Sequence, residues 1–334
     1  MNKSNRVLVC AFLVIVVKIC TISATCSDTI MSQMQSIFVQ NFTQNRALAP
    51  LCLRGAFHDC WNGCNGALLL AEEISRSENI GLEPLKTYLD PFLNQFPCVS
   101  VADLINSCAV TAVKFLGGPD VPVTFGRIDT GVPDPNGLLP AGTLNVQELI
   151  AAFQPIGFDS KEIVTLSGAH CVGVCQGQPF CPGQNTTFGN HYYTQLLNGE
   201  FEGKLQTDMD LLQDNTMKSV VQQYATDQQQ FFDDFATTLG KYISRIQCNQ
   251  TSNGPCPLDN SGSSSSQSST SNSSPPQTAG NTPPSSGGIN NPQEFPPFGL
   301  PNSFEGPNSF PSSSQGQNGN PTTSSGNNFF PAFI

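Results

Sequence analysis

The sequence predicts a mainly α-helical domain over residues 26–250, set between a leader segment and a long polar tail. Three observations carry this. Apolar residues between Cys26 and Cys248 recur at helical spacing. No stretch of that body alternates polar and apolar residues for long enough to make a strand. Beyond Thr251 the composition turns to Ser, Pro, Asn, Gly and Gln, with almost no charge.

The elements follow in order. Lys3 and Arg6 precede the apolar run Val7–Val17, and small residues follow at Ser23-Ala24-Thr25. A basic, then apolar, then small-residue pattern over residues 1–25 predicts a secretory signal peptide. Its apolar run is too short to span a bilayer comfortably. Ile30, Met34, Ile37 and Phe38 fall on one helix face. Val101 to Phe115 lacks Gly and Pro and reads as a buried helix, stopped by Gly117-Gly118-Pro119. Asp159 with Glu162 makes a capping pair ahead of Ile163–Leu166. The clearest stripe is Phe231, Phe232, Phe235, Leu239, Tyr242, Ile243 and Ile246. Residues 251–334 hold only scattered apolar side chains, such as Phe295, Phe298, Phe329 and Phe330. Such a segment cannot bury enough apolar surface to offset its chain entropy and is expected to be disordered.

Bulk properties narrow the function. A net charge of −11 without a basic run excludes nucleic acid as a partner. No segment after the leader is long and apolar enough for a membrane helix, and a secreted monomer is expected. Of 13 cysteines, Cys10 and Cys20 lie in the leader, which leaves 11, most of them expected in disulfides. Acceptor sequons at Asn41, Asn185, Asn249 and Asn272 fit a glycosylated exterior.

Only three histidines occur, and two sit in chemically loaded stretches: Arg54-Gly55-Ala56-Phe57-His58-Asp59-Cys60 and Leu166-Ser167-Gly168-Ala169-His170. On a helix, Arg54 and His58 share a face one turn apart. A neutral imidazole can move a proton between the oxygens of a peroxide, while a guanidinium stabilises the charge that develops as the O–O bond breaks. An isolated Arg-x-x-x-His is common, so the surrounding residues decide. Arg54, Phe57-His58-Asp59-Cys60 and Asn62-Gly63-Cys64 resemble the distal segment of the secretory plant-type haem peroxidases. Leu166–His170 is similar to that family's proximal motif. The resemblance continues in order at Phe125–Asp129, Phe188–Tyr193 and Leu205–Asp208, and covers about residues 26–248.

The resemblance implies an all-α fold of two helical halves that sandwich haem b, with hydrogen peroxide and a small aromatic donor as substrates. It implies that His58 is the acid–base catalyst, Arg54 its charge-stabilising partner, and Asn79, with Glu73 behind it, the hydrogen-bond relay. Phe57 would wall the haem pocket, His170 would ligate iron, and Asp208 would accept the other N–H of His170, or serve as a helix N-cap. Phe180 would pack on His170, and Pro140 would lie at the donor entrance. Gly168 and Ala169 would permit close approach of the porphyrin. His191 needs no role.

Several positions depart from the pattern. The implied distal calcium site, on Asp59 and the carbonyl region of Gly63, is weakened: Asn65 and Ala67 stand where the family has Asp and Ser. Cys171 and Gly189 replace ligands of the second calcium site. The short segment between His170 and Phe188 is closer to the intracellular ascorbate-type class. Yet residues 171–184 hold no Arg or Lys for an acidic donor, and Phe180 is not Trp; Trp61, the only tryptophan, lies on the distal loop. The resemblance implies bridges Cys26–Cys98 and Cys60–Cys64. Cys248 lacks its usual mate, and Cys108 is a candidate. Cys52, Cys171, Cys175, Cys181 and Cys256 stay unassigned, with disulfides favoured over a metal site for Cys171, Cys175 and Cys181. The expected function is a secreted haem peroxidase for phenolic donors. The alternatives are a non-enzymatic adhesion or matrix glycoprotein on the same fold, and a peroxidase for ascorbate or a protein donor.

Overall fold

A computed structural model describes residues 26–175, 178–181, 184–200 and 205–245. The expected leader and tail, with Ile246, Cys248, Asn249, Cys256 and Asn272, lie outside the described residues.

The helices are α1 Asp28–Gln44, α2 Leu48–Cys60, α3 Ala71–Ile74, α4 Glu83–Gln95, α5 Val101–Phe115, α6 Val146–Phe153, α7 Ser160–Ser167, α8 His191–Leu197, α9 Gln206–Asp210, α10 Asn215–Thr226 and α11 Gln228–Ile243. Local chemistry sets most of their starts. The Ser100 hydroxyl accepts from Asp103 N at 3.1 Å, and the Asp129 carboxylate accepts from Val101 N and Ala102 N, so α5 begins with its orphan donors satisfied. Reciprocal capping boxes open α6 (Asn145 with Glu148) and α7 (Asp159 with Glu162). Asp214 caps α10 through Met217 N.

Two helical groups result. In the first, α5 packs between α1 and α2, with α4 against α2. In the second, α7, α8, α10 and α11 pack together, and α11 also reaches α2. Aromatic rings fill both interiors. Phe38, Phe42, Tyr88 and Phe92 cluster in the first group, and Phe188, Tyr193, Phe231 and Phe235 in the second.

The all-α expectation holds with one addition: Val174–Cys175 (β1) pairs antiparallel with Gln178–Pro179 (β2). Two residues per strand are too few to leave a period-2 signature.

Two sequence expectations fail here. Cys108 is not available to Cys248, because it is joined to Cys52, whose assignment the sequence left open; the bridge fastens α2 to α5. Asn41 is not a surface sequon. It is 1% exposed, and its Nδ2 donates to the Tyr88 hydroxyl at 3.4 Å. It sits on the same buried face of α1 as Phe38 and Phe42. Asn185, by contrast, is half-buried at the surface.

A buried ion pair locks the end of α11 to the first group. Arg127 Nη1 lies 2.8 Å from Asp103 Oδ1 and also donates to Thr124 O. Its Nε and Nη2 both donate to Ile243 O, the last carbonyl of α11. Asp103 further accepts from Gly126 N and Arg127 N. Removing one partner leaves a buried, uncompensated charge. Arg127→Met is expected to lower stability by about 3–5 kcal/mol. Urea unfolding followed by circular dichroism measures this, and a loss below about 1 kcal/mol would show that the pair is not a lock.

Candidate active site

Helix α2 presents Arg54, Phe57 and His58. His58 is buried, and its Nδ1–H donates to Asn79 Oδ1 at 2.6 Å. That bond places the proton on Nδ1 and leaves Nε2 as the basic nitrogen. Asn79 is fixed from behind, since its Nδ2 donates to the backbone oxygen of Glu73 at 2.8 Å. The Glu73 carboxylate is turned elsewhere and accepts from Asp134 N at 2.6 Å. Burial raises its pKa. So the relay behind His58 runs through the Glu73 main chain, not its side chain. Arg54 is half-buried and donates through Nη1 to Ile80 O at 2.9 Å. Phe57 stacks on Tyr242 of α11 with centroids 5.1 Å apart, and the Tyr242 hydroxyl donates to Phe57 O.

The loop after α2 is closed by Asp59. Its two carboxylate oxygens accept from Gly66 N and Leu68 N, and burial pushes its carboxyl up to about 7 despite those donors. Gly63 turns the chain at φ 94°, and Cys60 is bonded to Cys64. Asn65 donates to Asp134 and accepts from Ala67 N. Asp59 therefore serves as an internal acceptor that shapes the loop. Among the described residues no group of three or more His, Cys, Asp or Glu side chains is placed to hold a metal ion. Cys26 is bonded to Cys98.

His170 lies in the 3-10 turn Gly168–Cys171 that follows α7, and it is buried. Its Nδ1 is 2.7 Å from Asp208 Oδ1. Asp208 sits in the first turn of α9 with no exposure; Leu205, not Asp208, occupies the cap position. Phe180 lies flat on His170, with centroids 4.3 Å apart and ring planes 1° from parallel. Tyr192 of α8 meets the imidazole edge-on at 5.9 Å.

Gly168 is also small because of its packing in the second group. A Cβ there would come within 2.4 Å of the Tyr193 hydroxyl and 2.6 Å of the Phe231 ring, so the missing side chain makes room for the aromatic core of the second group. The disulfide expected for Cys171 is also corrected: it is a buried free thiol, pushed up to about 12 by burial. Cys181 is buried, with its sulfur 3.6 Å from His170 O, and the Cys175 side chain lies outside the described residues. His191 is near Cys171 O at 3.0 Å, a structural contact.

Pro140 is buried in the segment after the turn at Asn136–Gly137, beside the exposed Leu138. Gly137 N donates to Glu78, which ties this segment to the turn that carries Asn79. The structure thus gathers Arg54, His58 and Asn79 into one group, and His170, Asp208 and Phe180 into another. Tyr192, Tyr242 and Asp134 were not singled out by the sequence. Tyr192 and Tyr242 lay inside quoted motifs or stripes, but a tyrosine at helical spacing carries no mark of what its hydroxyl touches.

Residues 34–227 match the peroxidase family. The chain is 36% identical over 203 residues to cytosolic L-ascorbate peroxidase 2 of Arabidopsis thaliana, covering 56% of this chain and 80% of that protein. It is 33% identical over 231 residues to L-ascorbate peroxidase 3 of the same plant, covering 64% and 79%. Cytosolic L-ascorbate peroxidase 2 of Oryza sativa subsp. japonica is 37% identical over 204 residues, covering 56% and 81%. A mainly helical body with two buried imidazoles, each held at Nδ1 by an acceptor, is the frame of a haem-dependent peroxidase. The chain belongs to the plant-type haem peroxidase superfamily and is an oxidoreductase that acts on hydrogen peroxide. The residues fit the haem: with Nδ1–H given to a carboxylate, the neutral imidazole of His170 carries its lone pair on Nε2, the form that binds iron.

Proposed function

We propose that this chain is a secreted haem peroxidase that oxidises small phenolic donors, with His170 as iron ligand and His58, Arg54 and Asn79 as its peroxide-handling group. The observation that carries the assignment is the pair of acceptor-fixed imidazoles, His58 on Asn79 and His170 on Asp208. Haem, when bound, would supply the two electrons that reduce the peroxide O–O bond, one from the iron and one from the porphyrin. His58 Nε2 takes the proton from the incoming peroxide oxygen and gives it to the departing one. Asn79 holds the ring in the tautomer that makes this possible. The Arg54 guanidinium, anchored on Ile80 O, stabilises negative charge on the departing oxygen. Asp208 draws on the Nδ1 proton of His170 and makes its Nε2 a stronger donor. Phe180 fixes the plane of the ring by stacking.

Secretion rests on the leader pattern of residues 1–25 and on the bridges Cys26–Cys98, Cys52–Cys108 and Cys60–Cys64, which suit an oxidising compartment. The named relatives are cytosolic in two of the three cases. A second donor, ascorbate, is favoured by the names of those relatives. Against it stands the absence of Lys and Arg from residues 171–184, which leaves that stretch without a cation for an acidic donor. A phenol needs no such partner.

Four outcomes are expected. The haem-loaded chain turns over guaiacol with kcat/KM at least about tenfold above that for ascorbate, a difference of about 1.4 kcal/mol in transition-state binding. The reverse order assigns the donor to ascorbate. His58→Ala takes up haem with an unchanged Soret band but reacts with peroxide about 10²–10⁴-fold more slowly in stopped flow; a wild-type rate removes His58 from the proton transfer. Expressed with its own first 25 residues in a secreting eukaryotic cell, the protein is recovered from the medium starting at or near Cys26. Peptide mapping finds glycan on Asn185 and none on Asn41. Retention in the cell, or an intact leader, overturns the proposed location.

A further inference from the structure

Tyr192 shares the acceptor of the proximal histidine. Its hydroxyl donates to Asp208 Oδ1 at 2.7 Å, and His170 Nδ1 lies at the same distance from that same oxygen. Asp208 Oδ2 is buried and has no hydrogen-bond partner among the described residues. Both donors therefore converge on one atom of a carboxylate that water does not reach. Asp208 is 0% exposed, as is Tyr192. Tyr192 is held in place independently of this bond: it lies in α8 and packs edge-on against Tyr193 at 4.9 Å as well as against His170.

A carboxylate with no solvent depends on its donors to stabilise its charge. Each donor that it accepts from reduces the charge it can offer the other. With Tyr192 bonded, Oδ1 is a weaker acceptor for the Nδ1 proton of His170. Without it, the imidazole is the carboxylate's one remaining donor in the described set, and its proton is drawn further towards oxygen. The ring then carries more negative charge and Nε2 donates more strongly.

We propose that Tyr192 is a positioning residue that sets the donor strength of His170 by competing for Asp208 Oδ1. This deepens the assignment of His170 as iron ligand and rests on it. Burial and the neighbouring carboxylate hold the pKa of the Tyr192 hydroxyl well above that of a free tyrosine. It acts as a fixed dipole that limits how strongly Asp208 draws on the Nδ1 proton of His170.

The test is Tyr192→Phe in the full, haem-loaded chain, since Phe keeps the ring contacts and removes only the hydroxyl. Two properties are read besides activity: the ferric/ferrous midpoint potential and the iron–histidine stretching frequency in the ferrous resonance Raman spectrum. The expected results are a more negative potential and a higher frequency than wild type. Asp208→Asn should move both in the opposite direction. In an Asp208→Ala background, which has no acceptor at that position, adding Tyr192→Phe should change neither, because the tyrosine acts only through the carboxylate. An unchanged or raised potential in Tyr192→Phe, or an equal shift in both backgrounds, overturns the proposal. Should Tyr192→Phe fail to hold haem, 3-fluorotyrosine at position 192 keeps the hydroxyl and makes it a stronger donor, and the potential should rise. If the wild-type protein itself shows no iron–histidine band, the assignment of His170 fails; if it shows the band and the variants leave it unmoved, only the role of Tyr192 fails.

Discussion

The structure depends on what is done with Nδ1 of each buried histidine. An imidazole in a protein interior is neutral or charged, and in one tautomer or the other, according to the acceptor it meets. Here both acceptors come from outside the element that carries the ring. Asn79, on a 3-10 turn, meets His58 of α2, and Asp208, in α9, meets His170 after α7. The acceptors differ in charge, and so do their effects. A neutral amide fixes a tautomer and leaves Nε2 a mild base suited to exchanging protons. A carboxylate pulls the ring towards its anion and makes Nε2 a strong ligand. One fold thus obtains a proton carrier and an electron donor from the same side chain.

Holding those acceptors explains much of the remaining architecture. Asn79 can orient His58 only because Glu73 O, Asp134 N and Gly137 N tie its turn to the neighbouring segments. Phe57 and His58 are held by α11, through Tyr242 stacked on Phe57 and bonded to its carbonyl. Helix α11 is held in turn by Arg127, through Ile243 O. On the proximal side, the empty space at Gly168 lets Tyr193 and Phe231 press against the turn that carries His170.

The fold was legible where a pattern repeats and the site where a motif is contiguous. The helical stripe from Phe231 to Ile243 and the capping pair Asp159–Glu162 mark their elements because the chemistry lies within a few residues. His58 with Arg54, and His170 after its small-residue turn, could be found for the same reason. The misses share a different cause. The Cys52–Cys108 bridge joins residues 56 apart, and no local feature distinguishes either thiol. Asn41 carries a formal sequon, but its position on the inner face of α1 puts it beside Tyr88. The sharing of Asp208 by Tyr192 and His170 brings three elements to one oxygen, and only the folded chain shows it.

The Cys52–Cys108 bridge also bears on how the distal group keeps its geometry. Cys52 is two residues before Arg54, and Cys108 is at the centre of α5, the helix in widest contact with α2. Closing a loop of that length costs the unfolded chain entropy equivalent to about 4 kcal/mol. That energy concerns the unfolded state, whereas the geometric effect concerns the folded one. A covalent tie this close to Arg54 and His58 restrains α2 from sliding along α5, and a shift of about 1 Å at a catalytic group is enough to cost rate. Asn79 fixes the His58 ring, but an acceptor can orient only a ring whose own helix stays in register. The bridge supplies that register from inside the core, where both cysteines have no exposure.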